Sequence, residues 1–345
     1  MDAHTLAYVV IGITLFFTYT NGFQDGSSVA ATAIGCRALK PYQAILVVSA
    51  AEFCGALFGG SAVANAIQSI TSFPDQPSLL PVLASGMTAA IVWNFFTRAI
   101  KVPSSSTHAL VGGVVGAIVT QSGSFRYIIM GTPDHLMHAN GLWKVILSLI
   151  ISPLIGFGAG YLALCLALIL LSRATTRINK SIKTAQWFVV PLLAFGHGAN
   201  DTQKAMGIIL LALNAIGTEH LDSIPTWVRI ITGGAMVLGI ASLAPGIVKQ
   251  VGTGIYRLRP IHALMAQISA ASVILTGSAT GGPVAASQII ASSVVGVGSA
   301  QRLKGVHWKV AQDMVAAWFF TIPGAAMMAF IIHTVVFHWL EFYIR

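Results

Sequence analysis

Residues His197–Gly207 have the sequence HGANDTQKAMG and interrupt a long apolar run. They place Asn200, Asp201 and Lys204 close together among Gly, Ala, Leu and Ile. Gly tolerates unusual backbone angles, and Asn and Asp compete with helical hydrogen bonds. The stretch therefore predicts a break in a long apolar helix, with polar side chains at its centre.

The composition around this stretch is that of an integral membrane protein. The chain has 345 residues, of which 55% are hydrophobic and 8% are charged, whereas a soluble domain has about 25% charged residues. Apolar windows of roughly 20 residues recur from end to end, so the first window predicts a membrane span and not a cleaved signal peptide. The three cysteines show no paired or ligand-like spacing, which predicts no disulfide framework.

The apolar runs predict an all-α polytopic membrane protein with about ten crossings. Some runs are longer than one span requires and contain polar residues, which predicts discontinuous helices and helical hairpins. The predicted crossings lie near 6–35, 42–70, 81–97, 103–121, 142–171, 187–215, 228–248, 261–277, 283–299 and 311–336.

The loops between these runs fall into two charge classes that alternate along the chain. The basic class contains Arg37, Lys40, Arg98, Lys101, Arg173, Arg177, Lys180, Lys183, Lys249, Arg257, Arg259, Arg302, Lys304 and Lys309. The other class, at 71–80, 131–140 and 216–226, contains Asp75, Asp134, Glu219 and Asp222 and no Lys or Arg. The positive-inside rule places the basic loops in the cytoplasm and both termini outside, in a plasma (inner) membrane. Because orientation explains the net charge of +9, a nucleic-acid partner is not expected.

Two motifs occur twice, in the same order. A Gly-x-x-Asp core followed by small residues ends at Asp25 and again at Asp201, and a Pro element follows at Pro103 and at Pro283. The separations between core and Pro element are 78 and 82 positions, which indicates duplication. The predicted crossings give the two copies opposite orientations. The sequence thus predicts two inverted repeats, 1–171 and 187–345, joined by a basic cytoplasmic linker at 172–186, an arrangement typical of secondary transporters.

Asp25 and Asp201 are the first candidates for a functional site. An ionisable residue at membrane depth costs at least ~2.5–3.5 kcal/mol on insertion scales, so it needs a partner or a function. The carboxylates, with Asn21 and Asn200, predict ligands for a coupling cation, including a Na⁺ site, or proton acceptors. The alternative is that each carboxylate caps a half-helix.

Two further ionisable residues have open roles. Lys204 follows Asp201 by three positions, so it either pairs with that carboxylate or contacts an anion. Glu52 has no basic neighbour in the sequence, so it is either a protonated buried carboxyl or a coupling site.

The run PSSSTH at Pro103–His108 sets Ser104, Ser105, Ser106 and Thr107 at the start of a helical segment. A helix N-terminus with free N–H groups and hydroxyl donors binds anions without a fixed positive charge. An ordinary helix cap would explain one of these hydroxyls but not four in succession. Together with the carboxylates, the run predicts a cation-coupled oxyanion symporter without an organic cofactor.

These residues also carry a resemblance to the inorganic phosphate transporter (PiT) family, in its bacterial low-affinity branch, over nearly the whole chain. His197–Gly207 resembles the family's second signature, and Asn21–Asp25 resembles the bacterial form of the first. Pro103–His108 is similar to the Pro-x-Ser-Thr-Thr-His element, and Ala300–Pro323 to the closing segment.

The resemblance implies symport of phosphate with Na⁺ or H⁺ through inverted repeats whose hairpin tips meet the broken helices. It also implies that the substrate is free phosphate or a neutral metal–phosphate complex taken up with a proton. The residues that it assigns to phosphate or the cation are Asn21, Asp25, Ser105, Ser106, Thr107, Asn200, Asp201 and Ser287.

The sequence departs from the family pattern at several of these positions. Ser28 stands where the first signature usually has Asn, which weakens a cation site there. In the second Pro element, Ala285, Ala286 and Gln288 replace two hydroxyl residues and the His. We therefore predict that the first hairpin tip makes most of the anion contacts.

Other functions fit the same residues less well. Sulfate suits the same donors, but only phosphate keeps a proton near neutral pH to donate to a buried carboxylate. An intramembrane enzyme would need a nucleophile and base at a recognisable spacing, and the sequence shows none. A passive channel would not accumulate its solute. The Gly-rich helices fit packing within one chain or in a homo-oligomer.

Overall fold

A computed structural model describes residues 2–73, 76–100, 104–132, 140–217, 223–242 and 245–344, with side chains except at 76–77 and 336–344. This part of the chain is helical apart from short connections and one isolated pair of bridged residues, Thr71 and Ile128. The all-α fold class is confirmed.

The helices follow in this order: α1 (Ala3–Asn21), α2 (Ser27–Gly35), α3 (Pro41–Phe58), α4 (Ala62–Gln68), α5 (Gln76–Ala99), α6 (Ser106–Ser122), α7 (Gly141–Leu170), α8 (Ile178–Asn214), α9 (Thr226–Ala241), α10 (Pro245–Lys249), α11 (Pro260–Thr280), α12 (Ala286–Arg302) and α13 (Trp308–Ile344).

Six helical segments within the described residues are long and apolar enough to cross a membrane, or seven if α9 and the segment after it, bent by 71°, form one span. By this criterion the number of spans is lower than the ten crossings predicted, and the count of ten is not confirmed. Helices α6 and α12 have only 17 residues each, and α8 carries the polar stretch HGANDTQK. Helices α6 and α12 and the polar half of α8 are largely buried in the bundle, so their polar residues meet protein and not lipid.

The break predicted at His197–Gly207 is wrong. Helix α8 continues through this stretch from Ile178 to Asn214, a run of 37 residues. The polar side chains do not need unwound backbone because other helices supply their partners. Gly198 lets α8 pack closely on α3, since a side chain there would collide with the backbone of Glu52.

The break predicted near Asp25 is also not an unwound segment. Residues Gly22–Gly26 form one π-helical turn that connects α1 to α2, with helical backbone angles on both sides. A π turn widens the helix by one residue and rotates the side chains that follow, and such turns are frequent at functional sites. The two copies of the Gly-x-x-Asp motif therefore differ in backbone conformation.

The predicted helical hairpins are present. A short connection joins α5 to α6, another joins α11 to α12, and the helices of each pair pack on one another. The two tips approach the bundle centre, where the side chains of His108 and Gln288 lie 3.0 Å apart. The inverted relation of the repeats stays a prediction, as does the orientation in the membrane. Helix α8 begins within the segment predicted as a linker, and Asp75, Lys101, Pro103, Asp134, Glu219 and Asp222 lie outside the described residues.

Candidate functional site

A cavity of about 370 Å³ adjoins the π turn. Exposed residues at its rim, Arg98 and Gly246, connect it to the surface. Its polar lining comes from the π turn, α2, the α5–α6 hairpin, the turn after α10 and the tip of the second hairpin: Gln24, Asp25, Ser28, Thr97, Arg98, Ser104, Gln250 and Ser287. A cavity with these polar groups and a buried carboxylate in its wall can hold a cation and an oxyanion together.

Asp25 lies in the wall of this cavity and is otherwise enclosed by protein. The Ser106 hydroxyl, at the start of α6, lies within hydrogen-bond distance of the Asp25 carboxylate and 3.0 Å from Asn21 Oδ1. A hydroxyl has one proton, so Ser106 donates to one of these acceptors at a time. Ser106 thus links the first hairpin tip to the first Gly-x-x-Asp motif.

Asp201 lies in a second, fully buried cluster. Its Oδ2 accepts a hydrogen bond from Asn21 Nδ2 at 3.0 Å, and His197 Nε2 lies 3.5 Å from the same oxygen. Its Oδ1 lies 2.7 Å from Lys204 Nζ. Asn21 therefore contacts both clusters, since its amide donates to Asp201 and its carbonyl lies beside Ser106.

All three N–H groups of the Lys204 ammonium have acceptors. Besides Asp201, Lys204 Nζ donates to Thr107 Oγ1 at 2.7 Å and to the Val284 carbonyl at 2.6 Å. An ammonium has three donors and no acceptor, so Lys204 has none left for phosphate in this conformation. The contacts fit the predicted ion pair.

Glu52 and His197 form a buried pair beside this cluster. Glu52 Oε1 lies 2.8 Å from His197 Nδ1, and both side chains are 0% exposed. Since His197 is also adjacent to Asp201, a row of three titratable groups extends from α3 into the core. Sequence reasoning did not select His197, because a single histidine in an apolar helix more often packs than reacts.

Asn200 does not lie with Asp201. Its Nδ2 donates to the Gly282 carbonyl at 3.1 Å and to Ser278 Oγ at 3.3 Å, which fastens α8 to the second hairpin tip. Adjacent residues on a helix point about 100° apart, so a continuous α8 separates these two side chains, whereas an unwound segment could have brought them together.

The hydroxyl residues of the hairpin tips have different environments. Ser105 caps α6 by accepting a hydrogen bond from the His108 N–H at 3.3 Å. Ser104 Oγ lies 2.6 Å from Thr97 Oγ1 in the cavity wall. Ser287, at the second hairpin tip, also lines the cavity and lies beside Asp25. Ser104 and Ser287 are thus the hydroxyls placed to meet a solute.

The structure adds residues that the sequence did not single out. Gln24, Thr97 and Arg98 line the cavity, and the Arg98 guanidinium lies 4.0 Å from the centre of the Phe23 ring. This cation–π contact holds a positive charge at the cavity rim. Arg98 belongs to one of the predicted basic loops. Its place in a loop does not predict that it lies on the same cavity as Asp25.

Comparison with known proteins identifies the chain as a transporter. The profile of the phosphate transporter family matches residues 21–329. The chain belongs to this family. Family members are transporters and not enzymes, so the chain is a multi-pass membrane transporter.

Curated relatives in the family span almost the full chain. A protein of Bacillus subtilis named "Probable low-affinity inorganic phosphate transporter" is 32% identical over 96% of this chain and 97% of its own length. A protein of the same name from Rhizobium meliloti is 33% identical over 95% of this chain and 97% of its own length.

A solved structure has the same fold. Its title is "The sodium-dependent phosphate transporter", and it superposes with a TM-score of 0.79 over 96% of this chain and 99% of its own, at 21% identity. At this identity the likeness shows the fold alone.

Proposed function

We propose that this chain imports inorganic phosphate across the plasma membrane by symport with H⁺ or Na⁺. The observation that carries the proposal is the position of Asp25, a carboxylate in the wall of the cavity that also contains the hydroxyls of Ser28, Ser104 and Ser287. An ionised carboxylate repels phosphate at close range, and this repulsion is strong away from bulk water. Phosphate therefore binds only when a proton or a metal cation neutralises Asp25, which makes uptake depend on that cation.

The hydroxyl groups and Arg98 supply the anion contacts in this proposal. Serine hydroxyls donate to phosphate oxygens, and Arg98 attracts the anion to the rim of the cavity. Ser106 orients Asp25 from the first hairpin tip. When a metal cation neutralises Asp25, a protonated phosphate can also donate to the carboxylate, whereas sulfate cannot, and this favours phosphate over sulfate.

The same oxygen atoms suit a neutral metal–phosphate complex. Carboxylate and hydroxyl oxygens are ligands for hard divalent cations, so the metal of such a complex would neutralise Asp25 itself. Uptake would then require Mg²⁺ or Ca²⁺ together with phosphate, whereas free phosphate would need only the coupling cation.

The position of Arg98 indicates the side of the membrane to which the cavity opens. Arg98, at the rim, belongs to the loops that the positive-inside rule assigns to the cytoplasm. With that orientation, the conformation described here is open to the cytoplasm. Lys204, Thr107 and Val284, which contact one another, are buried and do not line the cavity.

Uptake of radiolabelled phosphate into proteoliposomes tests the proposal. A Na⁺ gradient and a pH gradient are imposed separately, with and without Mg²⁺, and sulfate is the competitor. We expect one gradient to drive accumulation that an ionophore collapses, and an excess of sulfate to compete weakly. If neither gradient drives uptake, the chain is not a symporter; if sulfate competes as well as unlabelled phosphate, it is not phosphate-selective.

A further inference from the structure

The ammonium group of Lys204 lies in a cage of oxygen atoms. Nζ is 2.7 Å from Asp201 Oδ1, 2.7 Å from Thr107 Oγ1 and 2.6 Å from the Val284 carbonyl oxygen. The lysine side chain is 1% exposed. A carboxylate, a hydroxyl and a backbone carbonyl are the ligand types that a hard metal cation takes in proteins. The cage thus has the donor set of a cation site, and an amino group of the protein fills it.

The first repeat has related oxygen ligands but no lysine at the position that corresponds to Lys204. Ser28 stands three positions after Asp25, where the second repeat has Lys204. Ser287 stands in its Pro element where Thr107 stands in the other, so each motif is matched with a hydroxyl of the opposite hairpin tip. Asp25, Ser28 and Ser287 all line the cavity. The position beside Asp25 is therefore open to a soluble cation, whereas the position beside Asp201 is filled.

We propose that the Lys204 ammonium is a tethered cation that takes the place of a soluble coupling ion at Asp201. The proposal rests on the symport function proposed above and adds that a soluble cation enters the transport cycle only at Asp25. The Lys204 ammonium stays beside Asp201 at every stage of the cycle. Fewer soluble cations therefore accompany each phosphate than if both carboxylates bound a soluble cation.

The covalent link explains why a soluble ion does not compete at Asp201. A tethered group has a high effective concentration at its site, because binding does not cost the entropy of association. Removing the partner of a buried carboxylate strongly destabilises the folded protein. Na⁺ would have to displace the ammonium into surroundings that are fully enclosed by protein.

Removing the ammonium should therefore create a cation site. The test uses Lys204→Ser, which gives the second repeat the residue that the first has at Ser28. The matched control is Lys204→Met, which removes the charge but fills the cage with an apolar chain. Equilibrium binding of radiolabelled Na⁺ to the purified full-length chain is measured at constant ionic strength, with choline as replacement. The unfolding temperature is measured in the same solutions.

We expect Lys204→Ser to bind one Na⁺ per chain more than the wild type, and Na⁺ to raise its unfolding temperature more than that of the wild type. Lys204→Met should gain neither property. The double variant Lys204→Ser with Thr107→Val should lose the gain, because it lacks one ligand. Equal Na⁺ binding by Lys204→Ser and the wild type overturns the proposal. A gain shared with Lys204→Met also overturns it, because the apolar side chain leaves no cage.

A second variant decides the question if Lys204→Ser does not fold. Ser28→Lys introduces a tethered ammonium beside Asp25, facing a cavity with room for the side chain. We expect gradient-driven phosphate uptake to fall at least about tenfold, since the soluble cation would lose its site. Uptake equal to that of the wild type overturns the proposal. The measurement of bound Na⁺ does not depend on transport. Absence of phosphate uptake by the wild type would therefore refute the proposed function, while the Na⁺-binding result alone decides the role of Lys204.

Discussion

Asp25 and Asp201 end the same Gly-x-x-Asp motif, yet the protein surrounds them differently. Asp25 lies within a π turn and lines a cavity that reaches the surface. Asp201 lies in an uninterrupted helix, in contact with Lys204 and Asn21 and next to His197. The difference favours different roles for the two carboxylates, since Asp25 lines a cavity whereas Asp201 connects α8 to α1 through Asn21.

The largest effect should come from breaking the buried pair. Asp201→Asn leaves the Lys204 ammonium without a counter-charge, and such a loss destabilises a protein by about 3–5 kcal/mol. We expect a large drop in the unfolding temperature of the detergent-solubilised chain. Adding Lys204→Met should restore part of the loss because the cage is then neutral. An Asp201→Asn variant as stable as the wild type would contradict a structural role for Asp201.

The next effect should appear in transport and not in stability. Asp25→Asn keeps the size of the side chain and an acceptor for Ser106, but removes the charge that we propose binds the coupling cation. A hydrogen bond to a charged group contributes roughly 1.5–3 kcal/mol, so we expect gradient-driven phosphate uptake to fall by on the order of 100-fold. The unfolding temperature should change little. Retained cation-coupled uptake would place the coupling site elsewhere.

A smaller effect on phosphate uptake should distinguish the contributions of the two hairpin tips. Alanine at both Ser105 and Ser106 removes the cap of α6 and a donor to Asp25, whereas Ser287→Ala removes one hydroxyl of the second hairpin tip. One hydrogen bond contributes about 1 kcal/mol, so we expect uptake to fall roughly tenfold or more in the first variant and a few-fold in the second. Initial rates at matched protein amounts measure this, and equal losses would refute an asymmetric site.

The smallest effect should come from the rim of the cavity. Arg98→Gln removes the exposed charge but keeps a polar side chain near Phe23. Long-range attraction raises the capture rate of an anion and is screened by salt. We expect the apparent affinity for phosphate to fall by about threefold at low ionic strength and to approach that of the wild type at high ionic strength. A loss that salt does not change would indicate direct contact with the substrate.

Several parts of the site could be predicted from the sequence because they depend on residue type and local order. Asp25, Asp201 and the hydroxyl run before His108 stand out because polar groups are costly in an apolar chain. The backbone at these residues could not be predicted in the same way. Gly, Asn and Asp favour an unwound segment by local propensity, but tertiary contacts override propensity when neighbouring helices supply partners.

The sequence by itself determined the membrane class, the duplicated motifs, the family and the chemical types of the site residues. Only the tertiary structure decided which of those residues meet. Lys204 in α8 reaches Thr107 in the first hairpin, 97 positions away, while Asn200 points away from Asp201 and donates to the backbone of Gly282. The physical reason is that hydropathy and spacing are properties of each segment, whereas these contacts depend on which face of each helix packs against its neighbours.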